Sequence, residues 1–201
     1  MTRSSSHHHS GARALAVALA LAGAGGLAAC SDTREPGPVA AESGTQAATG
    51  SPSEAAPLSP ADESVKAGLA KHVDGDLEGA GADYTAALAS DPQNVLALYN
   101  LGLIAQTQGN DVEAETRYRS VLEVDDTYQP AVFNLAIVRK AAGDTGESEM
   151  LYRRAIELRP GDAGAHLNLG LLLRETDRQD EGDAEVATAL ELNPEFVDPA
   201  A

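Results

Sequence analysis

The sequence predicts an all-α fold, a solenoid of four helix pairs over residues 61–196. Three observations support this prediction. Residue types recur with a period of 34 from residue 61 onward, each period contains two apolar patterns with helical spacing, and no strand is predicted. A fixed period of this size is typical of stacked units that bury their apolar faces against their neighbours. The predicted units are residues 61–94, 95–128, 129–162 and 163–196.

Four residue types make the period visible. They are Gly75, Gly109 and Gly143; Tyr84, Tyr118 and Tyr152; Asn100, Asn134 and Asn168; and Pro92, Pro160 and Pro194. Small residues recur as well, at Gly68, Gly102, Ala136 and Gly170. Because small side chains let two backbones approach closely, we expect the helices of a unit to be in contact at these positions. The tyrosines would fill the space where three helices meet.

Residues 95–128 illustrate how one unit forms two helices. Leu98, Leu101 and Ala105 have the i, i+3, i+7 spacing of one helix face. Gly109 can adopt the left-handed conformation that ends a helix, and Asp111 is the predicted cap of the second helix. The second apolar face consists of Ala114, Tyr118 and Val121.

The pattern resembles the tetratricopeptide repeat, whose signature is W-x₂-L-G-x₂-Y, then A-x₃-F, then P. The second unit matches it with Leu98, Leu101, Gly102, Ala105, Ala114 and Tyr118, while the tryptophan position holds Ser64, Leu98, Val132 and His166. The resemblance implies a right-handed α-solenoid of four such helix pairs. Other helical repeats are the structural alternative.

The resemblance also implies a concave groove lined by the first helix of each unit, with the fifth and ninth residues facing inward. The fifth residues are Val65, Tyr99, Phe133 and Leu167, and the ninth are Leu69, Leu103, Ile137 and Leu171. The twelfth residues are His72, Gln106, Lys140 and Arg174, without an acid among them. Apolar rows with a basic rim predict a peptide ligand with apolar anchors and one acidic end.

Two aspects of the predicted groove stay open at this stage. The lysines and asparagines of a carboxylate clamp are missing from the fifth and ninth positions, so that type of site is not expected. Asn100, Asn134 and Asn168 are interpreted either as structural hydrogen-bonding residues or as contacts to a peptide backbone. Alternatively, the apolar rows pack against each other or against the preceding segment, and the rim is ordinary solvated surface.

The first 30 residues resemble the signal peptide of a bacterial lipoprotein. Arg3 and Arg13 precede an apolar run, residues 14–29, that ends in Leu27-Ala28-Ala29-Cys30. The resemblance implies transfer of a diacylglycerol to the Cys30 thiol, cleavage just before Cys30 and acylation of the new amino terminus, with palmitate as a typical acyl chain. Residues 1–29 would then be absent from the mature protein. A transmembrane helix is the weaker alternative, because a span needs about 20 apolar residues, and an unmodified buried cysteine is another.

Composition predicts a flexible tether and an acidic mature chain. Residues 30–60 follow the signal and, beyond Cys30, are rich in Ala, Ser, Gly, Glu and Pro, which bury too little apolar surface to fold. The whole chain has a net charge of −17, and removal of residues 1–29 leaves 12 basic and 31 acidic residues, a net charge of −19. Such a charge disfavours nucleic acids as partners. Residues 197–201 form a short tail.

We therefore predict an exported lipoprotein, on the cell membrane or outer membrane, that binds a protein or peptide of the cell envelope as an adaptor or scaffold. The alternative is a structural component that self-associates through an uncapped fourth unit, where Val186, Ala189 and Leu190 form an apolar face. No catalytic constellation, cofactor site or metal site is predicted. His72 and His166, for example, lie in different units.

Overall fold

The computed structural model describes residues 57–198, and over this range it consists of eight α-helices, which confirms the all-α helical-repeat prediction. They are α1 Pro60–Val73, α2 Leu77–Ser90, α3 Val95–Thr107, α4 Asp111–Val124, α5 Gln129–Ala141, α6 Thr145–Leu158, α7 Ala163–Glu175 and α8 Gln179–Leu192. The predicted signal peptide, Cys30 and most of the tether lie outside the described residues. None of the helices in residues 57–198 has both the length and the hydropathy needed to cross a bilayer.

Left-handed residues form the turn inside each unit. Gly75, Gly109 and Gly143 have φ values of 82°, 74° and 85°, and Asp177 takes the same turn with φ 62°. Glycine has no Cβ penalty at positive φ, and aspartate is among the few other residues that tolerate it. The residue after each glycine caps the next helix, so the predicted cap Asp111 is wrong. Asn110 is the cap, because its side chain accepts from the Glu113 amide at 3.3 Å, and Asp111 is the first helical residue.

The helices form two layers. The first-helix layer comprises α1, α3, α5 and α7, and the second-helix layer comprises α2, α4, α6 and α8. Side chains connect neighbours within each layer: Asn134 on α5 donates to the Tyr99 hydroxyl on α3 at 3.0 Å, and Arg119 on α4 pairs with Glu147 on α6 at 2.8 Å. Each helix also packs against the next one in the chain, so the four pairs form a continuous array.

Buried tyrosines hold the pairs together. Tyr84, Tyr118 and Tyr152 are 0–1% exposed, and Val186 occupies the equivalent position of the fourth unit. A Cβ atom at Gly102 would lie 2.6 Å from the Tyr118 ring, which explains why glycine stands opposite the tyrosine there. In the third unit the position opposite is Ala136, whose carbonyl oxygen accepts a hydrogen bond from the buried Ser148 hydroxyl at 2.9 Å.

The core of this array is self-contained. Every residue of its four hydrophobic clusters belongs to α1–α8 or to the turns between them, and residues 53–201 form a compact unit. In solenoids each unit is stabilised by contacts with its sequence neighbours. A fragment of residues 53–201 therefore keeps every core contact and is suitable for measurements in solution.

The close contact between α7 and α8 makes Gly170 sensitive to substitution. A Cβ atom at Gly170 would lie 2.7 Å from the Gly182 carbonyl oxygen and 2.7 Å from the Val186 side chain. Gly170→Ala is expected to lower the free energy of unfolding by about 2–3 kcal/mol, because a backbone oxygen cannot move aside and overpacking is costly. Urea unfolding of residues 53–201, followed by circular dichroism, measures this change.

Gly81→Ala is the matched control for Gly170→Ala. Gly81 lies inside α2, and the nearest atom to an added Cβ is the Ile104 Cδ1 at 3.9 Å. Without a clash, only the better helix propensity of alanine remains, and the control should gain about 0.5–1 kcal/mol. Equal effects of the two substitutions would contradict the close contact between α7 and α8.

Candidate peptide-binding surface

The predicted groove residues lie on the first-helix layer with graded exposure. Val65 is 4% exposed and belongs to the core with Tyr84, whereas Leu69 is 41% exposed. The other six predicted residues are partly buried: Tyr99, Leu103, Phe133, Ile137, Leu167 and Leu171. Four of them, Tyr99, Leu103, Phe133 and Ile137, pack against the buried clusters and keep part of their surface in contact with solvent. An apolar surface in this state can accept a ligand without being rebuilt.

An aromatic cluster occupies the middle of the layer. The Tyr99 ring lies 5.3 Å from the Tyr128 ring and 6.0 Å from the Tyr118 ring, measured between centroids. Phe133 packs against Tyr152 at 6.0 Å. Burial raises the pKa of Tyr99 to about 12, with a further contribution from Tyr128, so its hydroxyl is protonated at neutral pH. Such rings offer broad apolar contact at a low cost in conformational entropy.

Two residues near this cluster were missed by the sequence analysis. Tyr128 occupies the N-cap position of α5 without a side-chain capping hydrogen bond, whereas Asn94 and Asp162 cap α3 and α7 from the equivalent positions. Arg159 precedes α7, is exposed, and makes one weak ion pair with Asp162 at 3.8 Å. Its positive charge acts on the pKa of both Tyr99 and Tyr128, which places it beside the cluster. The sequence does contain a sign of this role, because Tyr128 is an aromatic residue at a position where other units have a helix-capping residue.

The three recurring asparagines use their amide groups inside the chain. Asn100 donates to the Leu96 carbonyl oxygen at 2.8 Å, and Asn168 donates to the Gly164 carbonyl oxygen at 2.9 Å. Asn134 donates to the Tyr99 hydroxyl, as described above. The structural role is therefore observed for all three amide nitrogens, while the predicted contact to a peptide backbone stays a prediction.

The four twelfth-position residues also have partners within the chain. His72 lies 3.5 Å from the Tyr84 hydroxyl, and Gln106 accepts from the Tyr118 hydroxyl at 2.7 Å. Lys140 pairs with Glu175 at 2.8 Å. Arg174 pairs with Asp183 at 2.6 Å and with Asp198 at 2.7 Å. Lys140 and Arg174 already have carboxylate partners. The apolar residues at the fifth and ninth positions are therefore a stronger indication of a binding surface than the basic rim.

Charge differs strongly between the two layers. The first-helix layer carries five basic and three acidic residues, a net charge of +2. The second-helix layer carries four basic and fourteen acidic residues, a net charge of −10. α3, at the centre of the first-helix layer, has no charged residue at all. A neutral or acidic ligand with apolar anchors therefore meets less repulsion on the first-helix layer than on the other.

Ion pairs on the second-helix layer tie neighbouring units together. Arg119 pairs with Glu115 at 2.9 Å within α4 and with Glu147 on α6. Arg153 repeats the arrangement one unit later, with Glu149 at 2.9 Å and with Glu181 on α8 at 3.8 Å. Arg178, which precedes α8, also pairs with Glu149, at 2.7 Å. The hydrogen bond from Arg178 is the main cause of the lowered pKa of Glu149. These contacts are structural and leave the first-helix layer as the candidate binding surface.

Comparisons with known proteins agree with this architecture. A family model described as "Tetratricopeptide repeat" matches residues 66–129 and 133–195, more than half of the chain. A crystal structure of MamA has a TM-score of 0.62 to this chain at 20% identity, covering 67% of this chain and 78% of MamA. No curated protein sequence gives a significant match.

Two further solved structures have the same fold. PilF from Pseudomonas aeruginosa has a TM-score of 0.62 at 22% identity, over 68% of this chain and 63% of PilF. The match thus spans less than two thirds of PilF. A double mutant of MamA, RS-1 ArsTM, has a TM-score of 0.61 at 17% identity, over 67% of this chain and 75% of that chain. At these identities the likeness concerns the fold alone.

Proposed function

The chain belongs to the tetratricopeptide repeat family, and from this premise we propose that it is a membrane-anchored adaptor that binds a protein or peptide partner in the cell envelope. The family's fold supports a role in protein interaction. The observation that carries the proposal is the half-exposed apolar surface of the first-helix layer, which has a net charge of +2 beside a second-helix layer of −10.

The ligand that fits this surface is a peptide segment with apolar side chains at regular spacing. Tyr99 and Phe133 follow each other at the same position of successive units and present aromatic rings one unit apart. An extended peptide or an amphipathic helix places side chains at intervals that can contact several units in turn. Arg159, exposed beside the aromatic cluster, suits an acidic group of the same ligand.

The anchor and the tether complete the proposal. Acylated Cys30 would hold the chain on the bilayer, and residues 31–59 would separate the helical array from it by roughly 30 Å, the average end-to-end distance of a flexible chain of that length. Confinement to a surface raises the effective concentration of a bound partner for other proteins in the same membrane. In this mechanism the chain localises its partner, and no catalytic activity is part of the proposal.

Peptide binding gives a direct test of the surface. A peptide selected from a random displayed library on residues 53–201 is expected to lose about tenfold in affinity with Phe133→Ala, because an aromatic anchor contributes about 1–2 kcal/mol to such contacts. Fluorescence anisotropy measures the affinity, and circular dichroism checks that the variant is folded.

Val112→Ala is the control for the binding test, since Val112 is 79% exposed on the second-helix layer. The proposal predicts an unchanged affinity for this variant. If selected peptides bind equally well to the Phe133 variant, or lose affinity only with the Val112 variant, the first-helix layer is not the binding surface.

The face predicted for self-association is largely buried in the single chain. Val186 and Ala189, two residues of the proposed apolar face, are 1% and 0% exposed in the single chain. Leu190 is partly buried. A second copy would have to uncover this face before it could bind there.

A further inference from the structure

Residues 193–196 keep the turn that joins the units, with the Phe196 amide donating to the Asn193 carbonyl oxygen as the Asn94 amide does to Asp91, and the chain leaves the path of the repeat at Val197. Asn193-Pro194 occupies the place of Asp91-Pro92, after which α3 begins at Val95. In the fourth unit the corresponding residues are not helical, and Asp198 instead reaches Arg174. The two groups form a bidentate ion pair, with Arg174 Nη1 to Asp198 Oδ1 at 2.7 Å and Nη2 to Oδ2 at 3.0 Å.

This ion pair requires residues 193–198 to run along the last helix pair. The two helices are antiparallel, since only residues 176–178, with the left-handed Asp177, join them; His166 near the start of α7 contacts Glu185 in the middle of α8, and Arg174 near the end of α7 contacts Asp183 closer to the start of α8. The end of α8 therefore lies near the start of α7, whereas Arg174 lies at the opposite end. A segment that joins these points crosses the side of the pair where a following helix would pack.

An ion pair inside the array also joins a twelfth-position cation to the segment that follows its helix pair. Lys140, at the twelfth position of the third unit, pairs with Glu175 on the first helix of the fourth unit at 2.8 Å. Arg174 holds the twelfth position of the fourth unit, and its carboxylate partner comes from the segment 193–198. Asp198 thus gives Arg174 a carboxylate partner from the following segment, as α7 gives one to Lys140.

The burial of Ala189 in the fourth unit agrees with residues 193–198 taking the place of a following helix. Ala87 and Ala155 pack in clusters with Ala97 and Ala165, which belong to the following first helix. Ala189 holds the equivalent position and has no following helix within residues 57–198, yet it is also 0% exposed. Phe196 in the crossing segment is itself partly buried.

At the opposite end of the array, the outer face of α1 has polar and small residues, which tolerate contact with water. Where α3 turns Ala97, Leu101 and Ile104 toward the preceding unit, α1 has Glu63, Ala67 and Ala70, all exposed. A polar or small outer face is the usual solution for a terminal solenoid unit. The fourth unit does not use this solution, because Val186, Ala189 and Leu190 on α8 keep the apolar pattern of an internal unit.

We propose that residues 193–198 are an intramolecular cap that occupies the docking surface of the fourth unit, that the Arg174–Asp198 ion pair is its latch, and that the latched cap keeps the chain from self-associating through this surface. A capped array presents its first-helix layer to partners while its apolar end stays closed.

The test compares latch variants of residues 53–201. Asp198→Arg places two cations together and should open the cap, so that amide hydrogen exchange in α8 becomes faster by about tenfold. Sedimentation should show a monomer for the unmodified fragment and concentration-dependent self-association for Asp198→Arg. The double variant Asp198→Arg with Leu190→Glu should return to a monomer. Asp198→Asn, which only removes the charge, should give a smaller effect in the same direction.

Glu175→Gln is the matched control, because it weakens the Lys140 bridge inside the array, where a whole helix keeps the surface covered. It should leave exchange in α6 and the monomeric state unchanged. Unchanged exchange in α8 of the Asp198→Arg variant overturns the latch. Faster exchange without self-association, or an unmodified fragment that already dimerises through Leu190, overturns the blocking role. Slow exchange in α4 confirms that each variant is folded.

Discussion

Replacing Tyr118 by alanine is expected to lower the free energy of unfolding of residues 53–201 by about 4 kcal/mol. The ring is 0% exposed and packs in one cluster with Leu98, Val121 and Leu135, which belong to three different helices. Because Gly102 has no side chain to move into the space, the substitution leaves a cavity at this junction. Urea unfolding monitored by circular dichroism measures the loss.

The variant Tyr118→Phe distinguishes the contribution of the ring to stability from that of the hydroxyl. This control keeps the packing and removes only the hydrogen bond to Gln106, 2.7 Å long, which contributes about 1 kcal/mol. If Tyr118→Ala lowers the free energy of unfolding no more than Tyr118→Phe does, the ring does not fill the junction between α3, α4 and α5.

Cys30→Ser is expected to release the full-length chain from membranes. Each acyl methylene contributes about 0.8 kcal/mol to membrane binding, so a sixteen-carbon chain contributes about 12 kcal/mol, and the stable anchor takes more than one chain. Replacing the thiol removes the proposed site of lipid attachment. Fractionation of cells that express the variant, followed by immunoblotting, measures the distribution.

Ser31→Ala is the control for the anchor, because it changes the neighbouring residue and leaves the thiol in place. This variant should stay with the membrane fraction. A Cys30→Ser chain that remains entirely in the membrane fraction would contradict a lipid anchor at Cys30 and would favour the transmembrane alternative for residues 14–29.

The architecture was predictable because its determinants recur along the chain. Gly75, Gly109 and Gly143 mark the turns, and Tyr84, Tyr118 and Tyr152 mark the junctions between helices. A repeated signal of this kind is stronger than any single motif. Capping was less predictable, since Asn110 and Asp111 are both good capping residues and the choice depends on where the glycine turn ends.

The details of the candidate surface depended on contacts that are distant in sequence. Lys140 and Glu175 are 35 residues apart, and Arg174 and Asp198 are 24 apart. The sequence identified both cations as a basic rim, but their partners follow from the stacking of units and from the path of the C-terminal segment. The burial of Val65 has a similar cause, because α2 and α3 cover this residue of the first unit.

Site-specific photo-crosslinking in cells tests the central claim, that the first-helix layer is the protein-binding surface. A photoreactive amino acid is placed at Leu69 or Leu171 on this layer, and at Val112 or Met150, which are 79% and 66% exposed on the second-helix layer. We predict that both first-helix positions crosslink the same envelope protein and that neither second-helix position does. Crosslinking of a common partner only from Val112 and Met150 would contradict the account.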